Sequence, residues 1–512
     1  MHLVWFKRDL RTHDHAALAE AAARGPVLPL YVVEPAYWAL PDSAPRQFAF
    51  VRACLSELRA ELAALGQPLI VRHGEVIAVF EALRAIVRFD ALWSHQETGN
   101  GWTYARDRRV AAWCRAHGIP WYEPRQHGVI RRLQSRRGWA GKWQRQMAAP
   151  QRAAPALAPL ADVEPGPIPT AAELGLGADP CPGVWPGGRQ AGEAVLHGFL
   201  HTRGQRYRQE MASPRTAYDA CSRLSPHLAW GSLSLREVYQ AAQARKLALK
   251  GQPGEDAKAW RASLSSFTSR LHWHCHFMQK LEDEPRIEHS NFHRLFDSVR
   301  TEAAPATLAA WRQGETGFPL IDACMRALDH TGWLNFRMRA MVMSFASYHL
   351  WQPWQASGRV LARLFVDYEP GIHWSQCQMQ SGTTGINTLR VYNPTKQARD
   401  QDPDGTFIKQ WLPDLADVPK SYIHQPFSWP KAAERLDGRY PRPIVDQQQA
   451  ARAAKERLYA LRRDPAFRAA AEAIQDRHGS RKAGIAQVLE QREIARRRAK
   501  ADPRQLDLLP EG

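Results

Sequence analysis

The chain has 512 residues, with 69 Lys and Arg against 51 Asp and Glu, a formal net charge of +18 and a pI near 9.8. That length allows two or three domains and a buried cofactor, and the charge favours a polyanionic partner such as nucleic acid without proving one. No run of about 18 apolar residues is present to cross a bilayer, the start lacks the pattern of a secretion signal, and the seven cysteines stand apart with no C-x-x-C pair, against a disulfide framework and a zinc site.

A soluble, cytoplasmic and nucleoid-associated monomer is expected, with no membrane partner and no metal. In chain order, short apolar runs alternate with amphipathic stretches: HLVWF (2–6), VLPLYVV (27–33), PLIVRHG (68–74), ALWSH (91–95) and IPWYEP (119–124). Between them lie helical patterns such as Phe48 to Leu65, apolar at i, i+3, i+4 and i+7. The alternation predicts an α/β domain over residues 1–130 on a doubly wound parallel sheet, which binds ligands beyond its strand C-termini. Residues 131–190 open with a basic, Trp-bearing stretch and continue Ala/Pro-rich, which predicts an interdomain linker. From 191 to 475 the strand signal is gone and the second domain is expected to be all-α. Residues 476–512 carry two basic clusters and are expected as a basic helix and tail, a solvated surface rather than a nucleic-acid arm.

The turn after the first strand, Lys7-Arg8-Asp9-Leu10-Arg11, is neither G-x-G-x-x-G nor a P-loop, which argues against the usual nicotinamide and ATP enzymes. Cys221-Ser222-Arg223-Leu224-Ser225-Pro226 leads small polar residues into a helix start; that arrangement serves as an anion site or as an ordinary cap. His272 and His276 share a helix face as zinc ligands do, but no Glu lies between them and residue 273 is Trp.

The opening Trp5-Phe6-Lys7-Arg8-Asp9-Leu10-Arg11 to Leu18 resembles the start of the photolyase/cryptochrome family, with His15 in place of Asn. The resemblance continues through Cys221 to Ser234, Trp311 to Leu328, Gly332 to Arg339, Val366-Asp367-Tyr368-Glu369 in place of D-G-D, and Arg390 to Pro413, in order along some 450 residues. It implies an FAD in the helical domain, its diphosphate met by Tyr207, Cys221, Ser222, Arg223, Leu224 and Ser225 and its ring lined by Asp367, Tyr368 and Glu369. Arg339 is implied to pair with Asp367, since an unpaired buried charge there costs several kcal/mol. Trp273 is implied to stack on DNA carrying a UV lesion, with Phe336, Arg337 and Arg390 beside it.

Four departures fall at the chemistry. Arg270 stands where repairing members have Glu, and Phe336 where they have Asn. His373 stands where the residue facing flavin N5 is expected, either a proton donor or a ring bonded into the wall. Of the usual tryptophan chain only Trp354 matches; the proximal position is Cys377, and Trp374 or Trp351 offers a substitute route. Four nearby cysteines for an iron-sulfur cluster are missing. Glu97 stands where some members touch a folate, and folate, deazaflavin or no second chromophore stay open. The resemblance implies that blue light drives an electron from reduced FAD to a cyclobutane pyrimidine dimer flipped out of the stack. Single-stranded DNA or another UV lesion stays open as the substrate. The alternative is a cryptochrome-like photoreceptor without repair.

Overall fold

The computed structural model describes residues 1–160 and 163–479. Most of the expected basic tail, residues 480–512, therefore lies outside the described residues. The five apolar runs form β1 (His2–Phe6), β2 (Val27–Val33), β3 (Ile70–His73), β4 (Ala91–Trp93) and β5 (Trp121–Tyr122). All are parallel in the order β3-β2-β1-β4-β5. Because side chains alternate along a strand, Val4 and Phe6 of β1 enter one core while Leu3 and Trp5 enter the other. Helices α1 (Ala16–Ala22) and α2 (Pro45–Ala64) supply the first core; α3 (Val76–Ile86) and α4 (Gly101–Ala116) supply the second. This is the doubly wound sheet that the sequence pattern predicts.

Residues 131–190 are more than a linker. Helix α5 (Trp139–Ala148) places Trp139, Trp143 and Met147 on one face and buries them in the core of the helical domain. The Ala/Pro-rich remainder returns over the α/β domain, where Leu157 N–H donates to Leu65 O (2.7 Å) and Val71 N–H to Pro165 O (2.7 Å). Composition suggested an interdomain linker because those Trp residues sit among charges in the sequence.

The helical domain is organised by α6 (Leu235–Ala248) and the 29-residue α7 (Glu255–Asp283). The face of α7 formed by Trp260, Leu264, Phe267, Leu271, Cys275 and Met278 is buried, which leaves Arg270 and Trp273 facing outward. Around it pack α8 (Pro319–Thr331), α9 (Phe336–Ser344), α10 (Trp354–Leu364), α11 (Pro370–Ser381), α12 (Gln447–Leu461) and α13 (Pro465–His478). No strand occurs after β5 among the described residues, and no described helix is long and apolar enough to cross a membrane. Gly231, at φ +73°, lets the helical domain touch β1's exit turn: a Cβ there would lie 2.3 Å from Arg8 O.

Many rings are buried as neutral imidazole. Burial pushes His95 and His127 down to about 3, and His274, His349, His373 and His478 to about 4. Between pH 6.5 and these values the unfolded chain binds protons that the folded chain refuses, so stability falls as pH drops, by up to ~1.4 kcal/mol per pH unit for each ring. Glu288 and Glu369, pushed up to about 7 by burial, act in the opposite sense but are outnumbered. The melting temperature is expected to fall steeply below pH 6.5, with calorimetry in buffers of different ionisation enthalpy showing net proton uptake on unfolding at pH 5.5; a flat profile down to pH 4.5 would contradict it.

Candidate functional site

The block from Cys221 to Ser225 follows a helix that ends at Ala220 and enters the five-residue helix Ser225–Ala229 through a left-handed Arg223, φ +61°. Arg203, which no sequence motif singled out, shapes this turn by donating to the carbonyls of Cys221, Ser222 (2.8 Å) and Asp219 (2.9 Å). Among the described residues the amides of Ser222 and Arg223 have no acceptor. Burial pushes the Cys221 thiol up to about 12, against the pull of Arg203, Arg223, Arg270 and Arg339. Tyr207, buried beside Phe199 and Phe267, is likewise pushed up by burial, with Arg270 pulling it back. Unbonded amides, a hydroxyl and several guanidinium groups form a donor set that fits a diphosphate.

The second part is the segment entering α11. Arg339 forks onto Asp367 at 3.0 and 2.7 Å, donates to Leu334 O (2.7 Å) and lies 3.9 Å above the Phe365 ring. The α/β domain supplies the rest of the frame. Gln47 donates to Ala362 O and Phe365 O, Arg8 donates to Tyr368 O (2.6 Å) and pairs with Glu369 (3.3 Å), and the Tyr368 hydroxyl donates to Asp42 (2.5 Å). Burial pushes Glu369 up to about 7 while Arg8 draws it down, and its Oε1 has no partner. Arg8 belongs to the quoted opening motif, but its reach across the domain boundary had no sequence signal, and Asp42 and Gln47 had none at all.

His373 Nε2 donates to Gly358 O (2.8 Å), and its ring rests against Tyr368 (5.2 Å) and Trp374 (4.8 Å). Burial pushes it down to about 4, and with Nε2 donating to Gly358 O its Nδ1 is left as an acceptor. Trp354 is buried, donates to Asn291 Oδ1 (2.8 Å) and meets Trp374 at 5.8 Å, with Trp374 in turn 6.3 Å from Tyr368. Trp351 lies elsewhere, between the guanidinium groups of Arg300 (5.1 Å) and Arg457 (4.8 Å), whose charges oppose an electron hole on that ring.

On the surface, Trp273 is 37% and Phe336 50% exposed. Trp273 stacks on Phe277 (5.6 Å), and Arg270 lies 5.1 Å over Phe336. Arg337 and Arg390 are part-exposed and exposed, the latter fixed through its carbonyl to Ser344. The cluster Asp9, His15 and His95 has the look of a metal site, but each ring accepts a backbone N–H at one nitrogen (Leu18 to His15, Ala16 to His95) and so donates from the other to Asp9. It is a closed knot that pins the β1 exit to α1. A cleft of about 930 Å³ between the domains is lined by Glu97, Arg131, Arg136, Glu282 and Glu288 among others; the Glu97 carboxylate is engaged by Arg106 at 2.6 Å.

Residues 2–138 match the family described as DNA photolyase, and residues 267–460 the FAD binding domain of DNA photolyase. The chain is 31% identical to a deoxyribodipyrimidine photo-lyase of Halobacterium salinarum, over 88% of this chain and 97% of that protein. It is 30% identical to a cryptochrome DASH of Gloeobacter violaceus, over 89% and 95%. The crystal structure of a class III photolyase from Agrobacterium tumefaciens superposes with a TM-score of 0.78 at 25% identity, covering 90% of this chain and 97% of that one.

Replacing Arg339 by Ala leaves the Asp367 carboxylate, 2% exposed, without a counter-charge. A loss of about 3 kcal/mol or more in denaturant unfolding of the cofactor-free protein is expected, with the double variant Arg339→Ala/Asp367→Asn recovering part of it.

Proposed function

Since the chain belongs to the photolyase/cryptochrome family and carries its FAD-binding domain, we propose that it is a light-driven DNA repair enzyme that splits cyclobutane pyrimidine dimers. FAD, when bound, supplies blue-light absorption and one-electron chemistry. The chain's own residues bind and orient. Tyr207 and the Cys221–Ser225 turn hold the diphosphate end; Asp367, Tyr368 and Glu369 line the ring end, where the Arg339 fork and the Arg8 clamp keep them from shifting. His373, bonded to Gly358, walls the site. The contact of Trp374 with Trp354 is the electron route that replaces the usual tryptophan chain.

The observation that carries this reading is the exposure of two large aromatic side chains, Trp273 and Phe336. Extruded bases stack on such faces at a gain of about 1–3 kcal/mol each. Arg337 and Arg390 would meet phosphates, and the net charge of +18 adds affinity that does not depend on the lesion and favours association with the nucleoid. The interdomain cleft is the place for a second chromophore, folate or deazaflavin. A photoreceptor without repair is favoured by Arg270 and Phe336 at the Glu and Asn positions of repairing members. The same two residues favour single-stranded DNA or another UV lesion within the repair reading.

Repair of dimer-containing single- and double-stranded oligonucleotides by the FAD-loaded, reduced protein is expected under blue light and not in darkness, and Trp273→Ala is expected to weaken lesion binding about tenfold. An intact, photoreducible flavin with no restoration in either substrate would select the photoreceptor. Photoreduction is expected to fall at least about tenfold in Trp354→Phe and Trp374→Phe and to be unchanged in Trp351→Phe; equal rates in all three would remove the proposed route.

A further inference from the structure

We infer that Tyr368 and Asp42 form a proton-coupled redox pair, in which Tyr368 takes up the electron hole that light leaves on the aromatic cluster and passes its hydroxyl proton to Asp42. The proposal rests on the FAD site and on the Trp374 route proposed above, and not on the repair reading. Three rings of the cluster differ in where they can leave a proton. Trp374 is buried, and among the described residues its Nε1 has no acceptor. Trp354 is buried and donates to Asn291 Oδ1 at 2.8 Å, an amide oxygen that accepts hydrogen bonds but is no base. His373 touches both Tyr368 and Trp374, yet its Nε2 is held by Gly358 O and neither ring donates to it. Tyr368 is the one of the three with a carboxylate: its hydroxyl donates to Asp42 Oδ2 at 2.5 Å, and Asn100 Nδ2 steadies the same oxygen from 3.3 Å.

Removing an electron from a buried indole leaves a positive charge in surroundings that solvate it poorly. On Trp354 or Trp374 that charge stays, because no base receives the indole proton. Tyr368 can discharge it. Its ring meets Trp374 edge to face with centroids 6.3 Å apart, so the hole has a short passage between them. Burial, and after it the Asp42 charge, hold the Tyr368 hydroxyl well above its ordinary value, so the phenol keeps its proton until the electron leaves. The step then balances: Trp374 gives one electron to the light-excited oxidised flavin, Tyr368 gives one electron to Trp374, and the O–H proton moves to Asp42 Oδ2. What remains is a neutral phenoxyl radical beside a neutral carboxylic acid. In darkness the electron returns only as the proton does, and that coupling slows recombination. Asp42, 326 residues away and in the other domain, is then a proton acceptor as well as part of the frame.

The test is a blue-light pulse on the oxidised, FAD-loaded protein without DNA or added reductant, read by transient absorption and electron paramagnetic resonance at equal bound FAD. In the parent a neutral tyrosyl radical is expected to grow in as the tryptophan radical signal decays, more slowly in heavy water than in ordinary water. Tyr368→Phe should abolish the tyrosyl signal. Asp42→Asn, which keeps the shape of the side chain but not its basicity, should lower the tyrosyl yield about tenfold or more, and Asp42→Glu should retain part of it. A tyrosyl radical of parental yield in Tyr368→Phe or in Asp42→Asn would overturn the proposal, as would a parent that forms tryptophan radicals and no tyrosyl radical. Trp374→Phe separates the pair from the route that feeds it: neither radical is expected there. A tyrosyl radical that persists in Trp374→Phe and is lost in Trp374→Phe/Tyr368→Phe would overturn the Trp374 route and support the pair.

Discussion

The Asp367 carboxylate is buried, and burying a carboxylate without a cation held against it is costly. Arg339 is that cation, and contacts from both domains hold the segment that carries the pair. Arg339 is anchored by Leu334 O and stacked on Phe365; Val366 N–H donates to Gly332 O and Trp230 donates to Val366 O. From the other domain Arg8, Asp42 and Gln47 bond to the residues on either side. A shift of this segment would break the fork and strand a charge.

The α/β domain is accordingly part of the site rather than an appendage to it. Its first turn presents Arg8 to the helical domain, where Arg8 also donates to Ala229 O and stacks on Trp230 at 4.3 Å. Asp14, held in a left-handed conformation, takes Arg236 and Ser234 of the helical domain. The Asp9, His15 and His95 knot makes that turn rigid enough for such contacts to persist, because each of its hydrogen bonds is already paired inside the α/β domain. Rigidity at the turn is what allows side chains from two domains to define one set of donors.

Charge is distributed by the same logic. Around Asp367–Glu369 the guanidinium groups of Arg339 and Arg8 each meet an acid, whereas beside the Cys221 turn Arg203 meets backbone carbonyls and, among the described residues, no carboxylate within ion-pair distance.

Much of this was legible in the chain alone. The short apolar runs predicted the five strands, the 3.6-period stretches predicted helices between them, and ordered blocks of residues carried the resemblance to the family, since these signals are local. The pairing of Arg339 with Asp367 was implied by the family resemblance, and the need of a buried charge for a partner agrees with it. The tertiary structure alone decided what depends on distance: that Arg8 reaches Glu369 across 361 residues, that Trp374 and not Trp351 meets Trp354, that His373 bonds to Gly358, and that α5 buries two tryptophans where composition suggested a linker. Local periodicity records which face of an element avoids water, but not which other element covers it; that is settled only when packing brings distant side chains within hydrogen-bond reach.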